Sequence, residues 1–174
     1  MTTTLRAATG ADAERVAAVF AGYVLHSIAT FVEEPPTAAD WAERIRVADE
    51  RKLPFLVADV DRVPVAGFAT VATYRPYAAY RYTVEDSIYI APEASGRGVG
   101  TSLLAGLLDG LTGTEIRQVI AVIAAVHGSR HETPSMVLHR RQGFEVVGRL
   151  SAVGYKNGQW ADTVIMQKDL RPEG

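Results

Sequence analysis

A glycine-rich loop is the part of the chain whose residue types and spacing most directly suggest chemistry: Ser95-Gly96-Arg97-Gly98-Val99-Gly100. It lies between an apolar, strand-like run and a segment in which leucines recur at helical spacing. A strand, a glycine loop and a helix in this order point several backbone N–H groups, and the positive end of the helix dipole, at one spot. Glycine is needed because a Cβ atom would block close approach of a ligand and disfavour positive φ. The pattern predicts a cradle for the phosphates of a cofactor.

The same motif excludes two other phosphate-binding loops. It contains no Gly-Lys-Ser/Thr, which excludes a P-loop. Its glycines are spaced G-x-G-x-G and lie past the middle of the chain, whereas a dinucleotide-binding G-x-G-x-x-G usually opens its domain. Taken alone, the loop also fits a helix N-terminus whose glycines serve only close packing.

The composition is typical of a globular protein. With 174 residues, 48% hydrophobic and 22% charged, we expect a single domain over residues 1–174. A net charge of −2 gives no reason to expect nucleic acid or an anionic membrane as a partner. The chain has no cysteine, which excludes a thiolate nucleophile and a cysteine-based metal site. Without a recognisable signal peptide or a long apolar run, we expect no membrane span and a cytoplasmic location.

Hydrophobic periodicity predicts a mixed α/β domain with one central sheet. Helices are predicted after the capping box Thr9–Asp12, from Thr37, after the glycine loop, and after Thr133. Strands are predicted at 5–7, 55–59, 64–72, 82–90, 119–125, 145–155 and 160–167. The last two flank Asn157-Gly158, a typical hairpin turn. The run 119–125 is continuously apolar, which favours a central strand buried on both faces.

The glycine loop, the order of elements and the segment Leu138-His139-Arg140-Arg141-Gln142-Gly143-Phe144 resemble the GNAT superfamily of N-acetyltransferases. Its usual signatures are [R/Q]-x-x-G-x-[G/A] before the third helix and L-Y-x-x-x-G-F at the fourth. The resemblance implies an α/β (α+β) GNAT fold, with a central mixed, mostly antiparallel sheet of about seven strands and about four helices. It also implies acetyl-CoA as co-substrate, a small-molecule amine as acceptor, and a homodimer.

Three further stretches, 27–36, 79–89 and 154–163, resemble the phosphinothricin and methionine sulfoximine acetyltransferase branch. The chain departs from that branch at three positions. Ser95 stands where arginine or glutamine is usual, and Glu132 replaces an asparagine that commonly contacts the pantetheine arm. Tyr77 stands where members that acetylate phosphinothricin have arginine, so we expect methionine sulfoximine or methionine sulfone as acceptor before phosphinothricin.

The resemblance implies two catalytic residues. Glu85 lies at the position of the family's catalytic glutamate, as the base that takes the ammonium proton. Because an ordinary glutamate titrates near about 4.3, this role calls for a relaying water or a pKa raised by burial. His139 stands where many members place a tyrosine that protonates the departing thiolate, and it shares a helix face with Ser135. From spacing alone, Glu85 also fits a surface glutamate beside Asp86, and His139 a packed helix histidine.

The remaining candidate site residues fall into two sets. Backbone groups of one strand and of the loop are expected to hold acetyl-CoA: Ile88, Tyr89, Ile90, Gly96, Arg97, Gly98, Val99, Gly100 and Thr101. The acceptor is expected to contact Phe31, Arg75, Tyr77 and Tyr80. Arg75 would grip a substrate carboxylate with two hydrogen bonds, although it also fits an ordinary surface arginine.

Other interpretations stay open from the sequence. The spacing of His127 and His131 matches no standard zinc pattern, and both are interpreted as solvated loop residues, so no metal is expected. The acceptor could be a different amine, such as a polyamine or a peptide N-terminus. A catalytically silent module that binds acetyl-CoA and regulates a partner is the alternative outside enzymes.

Overall fold

The computed structural model of the chain describes residues 2–61 and 63–171. Within them lie four α-helices: α1 Ala13–His26, α2 Ala38–Glu50, α3 Val99–Leu111 and α4 Pro134–Arg141. The seven strands are β1 Thr3–Ala7, β2 Phe55–Val60, β3 Val63–Thr73, β4 Thr83–Ile90, β5 Gln118–Val126, β6 Glu145–Lys156 and β7 Gln159–Asp169. Short 3-10 helices span Gly10–Asp12, Ala78–Tyr80 and Pro92–Ala94.

The strands form a mixed sheet in the order β1-β2-β3-β4-β5-β7-β6. Antiparallel pairing joins β1 to β2, β2 to β3, β5 to β7 and β6 to β7, while β4 and β5 are parallel. The fold predicted by the resemblance, seven strands in a mostly antiparallel sheet with four helices, is confirmed.

The chain divides into two compact units, each assembled from several stretches. The first unit comprises the residues up to Ala21, Pro35–Ala72 and Ser87–Gly113. The second unit comprises Gly22–Glu34, Thr73–Asp86 and the residues from Thr114 onward. A single domain over 1–174 stays a prediction.

The first unit is built on an aromatic cluster and a leucine-rich helix. Phe68 stacks on Phe55 with ring centroids 5.8 Å apart, and Trp41 packs edge-on against Phe68 at 5.2 Å. The leucines of α3 that the sequence pattern singled out are buried: Leu103, Leu104, Leu107, Leu108 and Leu111. Burying a leucine side chain contributes about 1.5–3 kcal/mol to folding, so α3 is anchored firmly behind its N-terminal glycine loop.

In the second unit, β5, β7 and β6 form an antiparallel layer. The prediction that β5 is buried on both faces is correct for its first half, where Val119, Ile120 and Ala121 are buried. It is wrong for the second half, where Ile123 and Ala125 are buried but Val122 is 40% exposed, so that one face is not covered. The parallel register with β4 runs only as far as Asp86 opposite Ala121, and the exposed positions begin directly after it.

The helix caps and the hairpin turn that the sequence predicts are present in the structure. The side chain of Thr37 accepts a hydrogen bond from the N–H of Asp40, and that of Thr133 from the N–H of Met136, both over 3.2 Å. Asn157 and Gly158 have φ values of 52° and 75°, which the predicted hairpin turn requires. None of the described helices is long and apolar enough to cross a membrane.

Candidate active site

Glu85 lies on β4, in the part of the strand that pairs with β5. Successive side chains of a strand point to opposite faces, so Glu85 and Asp86 project in opposite directions. The side chain of Glu85 is 34% exposed, whereas that of Asp86 is 1% exposed. Burial raises the pKa of Glu85; the positive charge of Arg75 opposes this shift and the negative charge of Asp86 adds to it. The result is a carboxylate that solvent can reach and that is a stronger base than an ordinary glutamate.

Arg75 provides a positive charge beside that carboxylate. Its Nη1 lies 3.8 Å from Oε2 of Glu85 and donates a hydrogen bond to the carbonyl oxygen of Tyr74 over 2.8 Å. The guanidinium also lies over the Tyr74 ring, 4.2 Å from its centroid, and the Tyr80 ring packs edge-on against Tyr74 at 5.5 Å. A half-exposed ion pair at this distance contributes only about 0–1 kcal/mol, so Glu85 holds the guanidinium only weakly.

His139 lies on α4 and is paired with Asp86. Its Nε2 is 2.9 Å from Oδ2 of Asp86, and its side chain is 4% exposed. Nδ1 lies 2.7 Å from the carbonyl oxygen of Ser135 and 3.4 Å from the Ser135 hydroxyl. Ser135 and His139 therefore lie on the same face of α4, as predicted, and the backbone carbonyl of Ser135 makes the shorter bond. Removing one member of a buried ion pair typically costs about 3–5 kcal/mol, because the other charge stays buried without a partner.

The loop that carries Phe31 is held against β6. Nζ of the buried Lys156 donates a hydrogen bond to the carbonyl oxygen of Thr30 over 2.7 Å, and burial lowers the pKa of this lysine. The Phe31 ring covers the backbone of Gly154 so closely that an added Cβ would lie 2.4 Å from the phenyl Cζ. Phe31 is nevertheless 42% exposed, as an apolar wall requires.

The glycine loop lies in the first unit and has the conformation that its sequence requires. Gly96 and Gly98 have φ values of 73° and 79°, which L-residues rarely adopt. Gly98 is the N-cap of the 13-residue α3 and has no side chain to satisfy the first N–H groups of the helix. These donors and the helix dipole fit an anionic group such as a phosphate.

The strand segment before the loop is packed through its side chains. The ring of Tyr89 lies edge-on to Phe20 at 4.8 Å, so a role of Tyr89 in cofactor binding falls to its backbone. An added Cβ at Gly67 would lie 2.8 Å from Cδ1 of Ile90 and 3.0 Å from the carbonyl oxygen of Tyr89. Gly67 therefore allows β3 to lie close against this segment of β4.

The other candidate residues have simpler surroundings. Tyr77 is 70% exposed and caps the 3-10 helix Ala78–Tyr80. Glu132 forms an ion pair with Arg140, which lowers the pKa of the Glu132 carboxyl group.

The two histidines of the neighbouring loop differ in their surroundings. His131 is exposed, as predicted, whereas His127 is not simply solvated, because its Nδ1 lies 2.7 Å from Oδ1 of the buried Asp162. Among the described residues, no group of three or more His, Asp or Glu side chains could hold a metal ion.

Three residues of this region were not predicted from the sequence. Asp86 was considered only as a neighbour of Glu85, although strand alternation places one of two adjacent acidic residues on a buried face. Lys156 and Gly154 are close to Thr30 and Phe31 only through the tertiary structure, and no local signal in the sequence indicates those contacts.

Comparison with known proteins defines the class. Residues 5–165 match the family model of the acetyltransferase (GNAT) domain. A phosphinothricin N-acetyltransferase from Alcaligenes faecalis is 40% identical over 167 residues, covering 96% of this chain and 82% of the relative. An L-methionine sulfoximine/L-methionine sulfone acetyltransferase from Pseudomonas aeruginosa is 31% identical over 172 residues, covering 99% and 97%.

A solved structure has the same architecture. The phosphinothricin acetyltransferase from Sinorhizobium meliloti, in complex with AcCoA, aligns with a TM-score of 0.90 at 42% identity, covering 98% of this chain and 89% of that one. The chain therefore belongs to the GNAT acetyltransferase family. It is an N-acetyltransferase, and its co-substrate is acetyl-CoA.

Proposed function

We propose that the acceptor is the primary amine of a small amino-acid-like molecule. The observation that carries this proposal is the 3.8 Å separation of Nη1 of Arg75 from Oε2 of Glu85. In an α-amino acid the amino group and the carboxylate are attached to the same carbon. A cation for the carboxylate and a base for the amine must therefore also lie a few ångströms apart. The named substrates of the relatives, phosphinothricin, methionine sulfoximine and methionine sulfone, support the same class.

Glu85 is the general base in this proposal. The substrate ammonium loses a proton to its carboxylate, directly or through a water, and the amine nitrogen then forms a bond to the acetyl carbonyl carbon. Burial of Glu85 supports the role, because its raised pKa brings the carboxylate closer in basicity to the amine. The chain has no cysteine to carry an acyl group, which supports direct attack by the amine.

His139 supplies the proton that the leaving thiolate takes up when the carbon–sulfur bond breaks, since an imidazolium can provide it near neutral pH. The attacking nitrogen still carries one proton too many for an amide, and transfer of that proton through water to the imidazole restores His139. Nε2 faces Asp86 over 2.9 Å, on the face of β4 opposite to Glu85, and the ring is buried. Release of this proton to the thiolate therefore requires the His139–Asp86 hydrogen bond to open and the imidazole to turn out of its buried position.

Acetyl-CoA supplies the acetyl group as a thioester. We assign its phosphates to the backbone of the glycine loop and the start of α3, comprising Gly96, Arg97, Gly98, Val99, Gly100 and Thr101. The left-handed glycines and the uncapped helix N-terminus support this assignment. The backbone of Ile88, Tyr89 and Ile90 holds the pantetheine arm in the manner of an added strand.

Phe31, Tyr77 and Tyr80 line the acceptor side in the proposal. Phe31 contributes an apolar wall for a side chain of methionine type. Tyr77 carries no positive charge to balance a phosphinate, so we propose methionine sulfoximine and methionine sulfone as better acceptors than phosphinothricin.

We further propose a homodimer in the cytoplasm. Large apolar side chains on β5, β6 and β7 are exposed: Val122, Val126, Val146, Val147, Leu150, Val153, Tyr155 and Trp160. Exposed apolar surface of this extent is typical of a protein interface, and a second copy of the chain would cover it. A chain without cysteine forms no disulfide, so its folding does not depend on an oxidising compartment.

The test is thiol release from acetyl-CoA with a panel of amines: methionine sulfoximine, methionine sulfone, phosphinothricin, a polyamine and a short peptide. We expect turnover with the first two and little with phosphinothricin. Preference for the polyamine or the peptide would overturn the amino-acid proposal. Binding of acetyl-CoA without turnover of any acceptor would favour an acceptor outside this panel or the silent regulatory module. The methyl ester of methionine sulfone is the matched control, since it keeps the amine and lacks the carboxylate that Arg75 is proposed to bind.

A further inference from the structure

Asp86 is a buried acidic residue in the strand that carries the proposed base. It occupies the last position at which β4 pairs with β5, opposite Ala121, and its side chain is 1% exposed. Its Oδ2 faces Nε2 of His139, while Oδ1 is buried and has no hydrogen-bond partner among the described residues. The contact with His139 is therefore what compensates the burial of this carboxylate.

The hydrogen bonds of His139 determine where its protons are. A carbonyl oxygen can only accept, so Nδ1, 2.7 Å from the oxygen of Ser135, must carry a proton and donate it. Nε2 lies 2.9 Å from Oδ2 of Asp86, and since an ionised carboxylate can only accept, Nε2 donates as well when Asp86 is ionised. Both ring nitrogens are then protonated, and the ring is an imidazolium.

The surroundings of the ring agree with this protonation state. Burial by itself would lower the pKa of His139, but the hydrogen bond and the charge of Asp86, together with the Ser135 carbonyl, raise it overall. Phe144 packs edge-on against the ring at 4.9 Å and carries no charge. Glu85 projects from the opposite face of β4.

We propose that Asp86 is a positioning residue of the acetyltransferase: its carboxylate keeps His139 doubly protonated and fixes α4 to the strand that carries Glu85. The role of the His139 proton in turnover rests on the proposed function, whereas the protonation state of His139 does not. Asp86 touches neither substrate in this proposal and acts through His139.

The first experiment measures the protonation of His139 in the free protein. Two-bond ¹H–¹⁵N NMR spectra of the histidine rings are recorded over a pH series, with the exposed His26 and His131 as references in the same molecule. We expect both nitrogens of His139 to stay protonated at pH values where the reference rings have become neutral. A His139 that titrates together with the references would overturn the proposal. Because this experiment needs no acceptor, its result is independent of the proposed function.

The second experiment compares Asp86→Asn with Asp169→Asn, an exposed aspartate at the end of β7. We expect Asp86→Asn to lower the NMR pKa of His139 and to reduce kcat about tenfold or more, with a smaller change in the KM for acetyl-CoA. The alkaline limb of the kcat profile should move to lower pH. A reduced kcat with an unshifted pH profile would mean that Asp86 acts only in packing, which would overturn the positioning role. If the variant does not fold, the NMR titration of the unaltered protein still decides whether His139 is doubly protonated.

Discussion

The phenyl ring of Phe31 lies directly on the backbone of Gly154, where an added Cβ would lie 2.4 Å from the phenyl Cζ. Two positions further along β6, Lys156 binds the carbonyl oxygen of Thr30 over 2.7 Å. Two residues of β6 thus hold the loop that carries the proposed apolar wall of the acceptor site. The selectivity of the enzyme for its acceptor is therefore expected to depend on residues distant in sequence from that loop.

Substitution of Gly154→Ala should weaken acceptor binding. The methyl group would displace the Phe31 ring, and overpacking of this kind typically costs about 1–3 kcal/mol. We expect the KM for methionine sulfone to rise and the KM for acetyl-CoA to stay within about twofold. Gly148→Ala is the control, because it lies on the same strand and an added Cβ there meets no atom within 4 Å. Equal kinetic effects of the two substitutions would contradict a specific role for the Phe31–Gly154 contact.

Substitution of Glu85→Gln should abolish the general base without changing side-chain size. We expect kcat for methionine sulfone to fall by about 10²-fold or more, with the Kd for acetyl-CoA unchanged by calorimetry. Glu14→Gln, an exposed glutamate in the first turn of α1, is the matched control. Retention of full turnover in the Glu85 variant would remove the base assignment.

Substitution of Arg75→Met should affect both acceptor binding and the pH profile. Loss of a charge-assisted hydrogen bond should raise the KM for the amino acid about tenfold or more. Because the charge of Arg75 lowers the pKa of Glu85, its removal should also move the acidic limb of kcat/KM to higher pH. Arg75→Lys keeps the charge and should shift the limb less. An acidic limb that lies at the same pH in Arg75→Met as in the original chain would show that Arg75 does not act on the base.

The ion pair between Arg6 and Asp12 should contribute to stability except in strong acid. Asp12 accepts hydrogen bonds from Arg6 over 2.7 and 2.8 Å, and these lower its pKa from 3.8 to about 2. A depressed carboxyl pKa adds stability that is present above the unfolded value of 3.8 and is lost as the pH falls through about 2.

Urea unfolding of Asp12→Asn measures this contribution. The variant should be less stable than the original chain at pH 6, and the difference should shrink toward pH 2. The exposed Asp109→Asn is the control. A stability difference that does not change with pH would indicate that lost packing, and not the carboxylate charge, destabilises the variant.

The sequence by itself determined the features that depend on neighbouring residues. The caps at Thr37 and Thr133 and the turn at Asn157-Gly158 are set by short-range hydrogen bonds and backbone preferences, and the structure has each of them where the pattern predicts. The leucine spacing of α3 likewise predicted its buried face, because helical periodicity alone selects that face.

The tertiary structure decided which side chains meet. Asp86 and His139 are 53 positions apart, and Thr30 and Lys156 are 126 apart, so no local pattern could pair them. It also decided that Val122 is exposed although its run is uniformly apolar, while Ala121 and Ile123 on either side of it in the chain are buried. An apolar residue specifies that burial is favourable, but only the elements packed over its face of the sheet specify whether anything covers it.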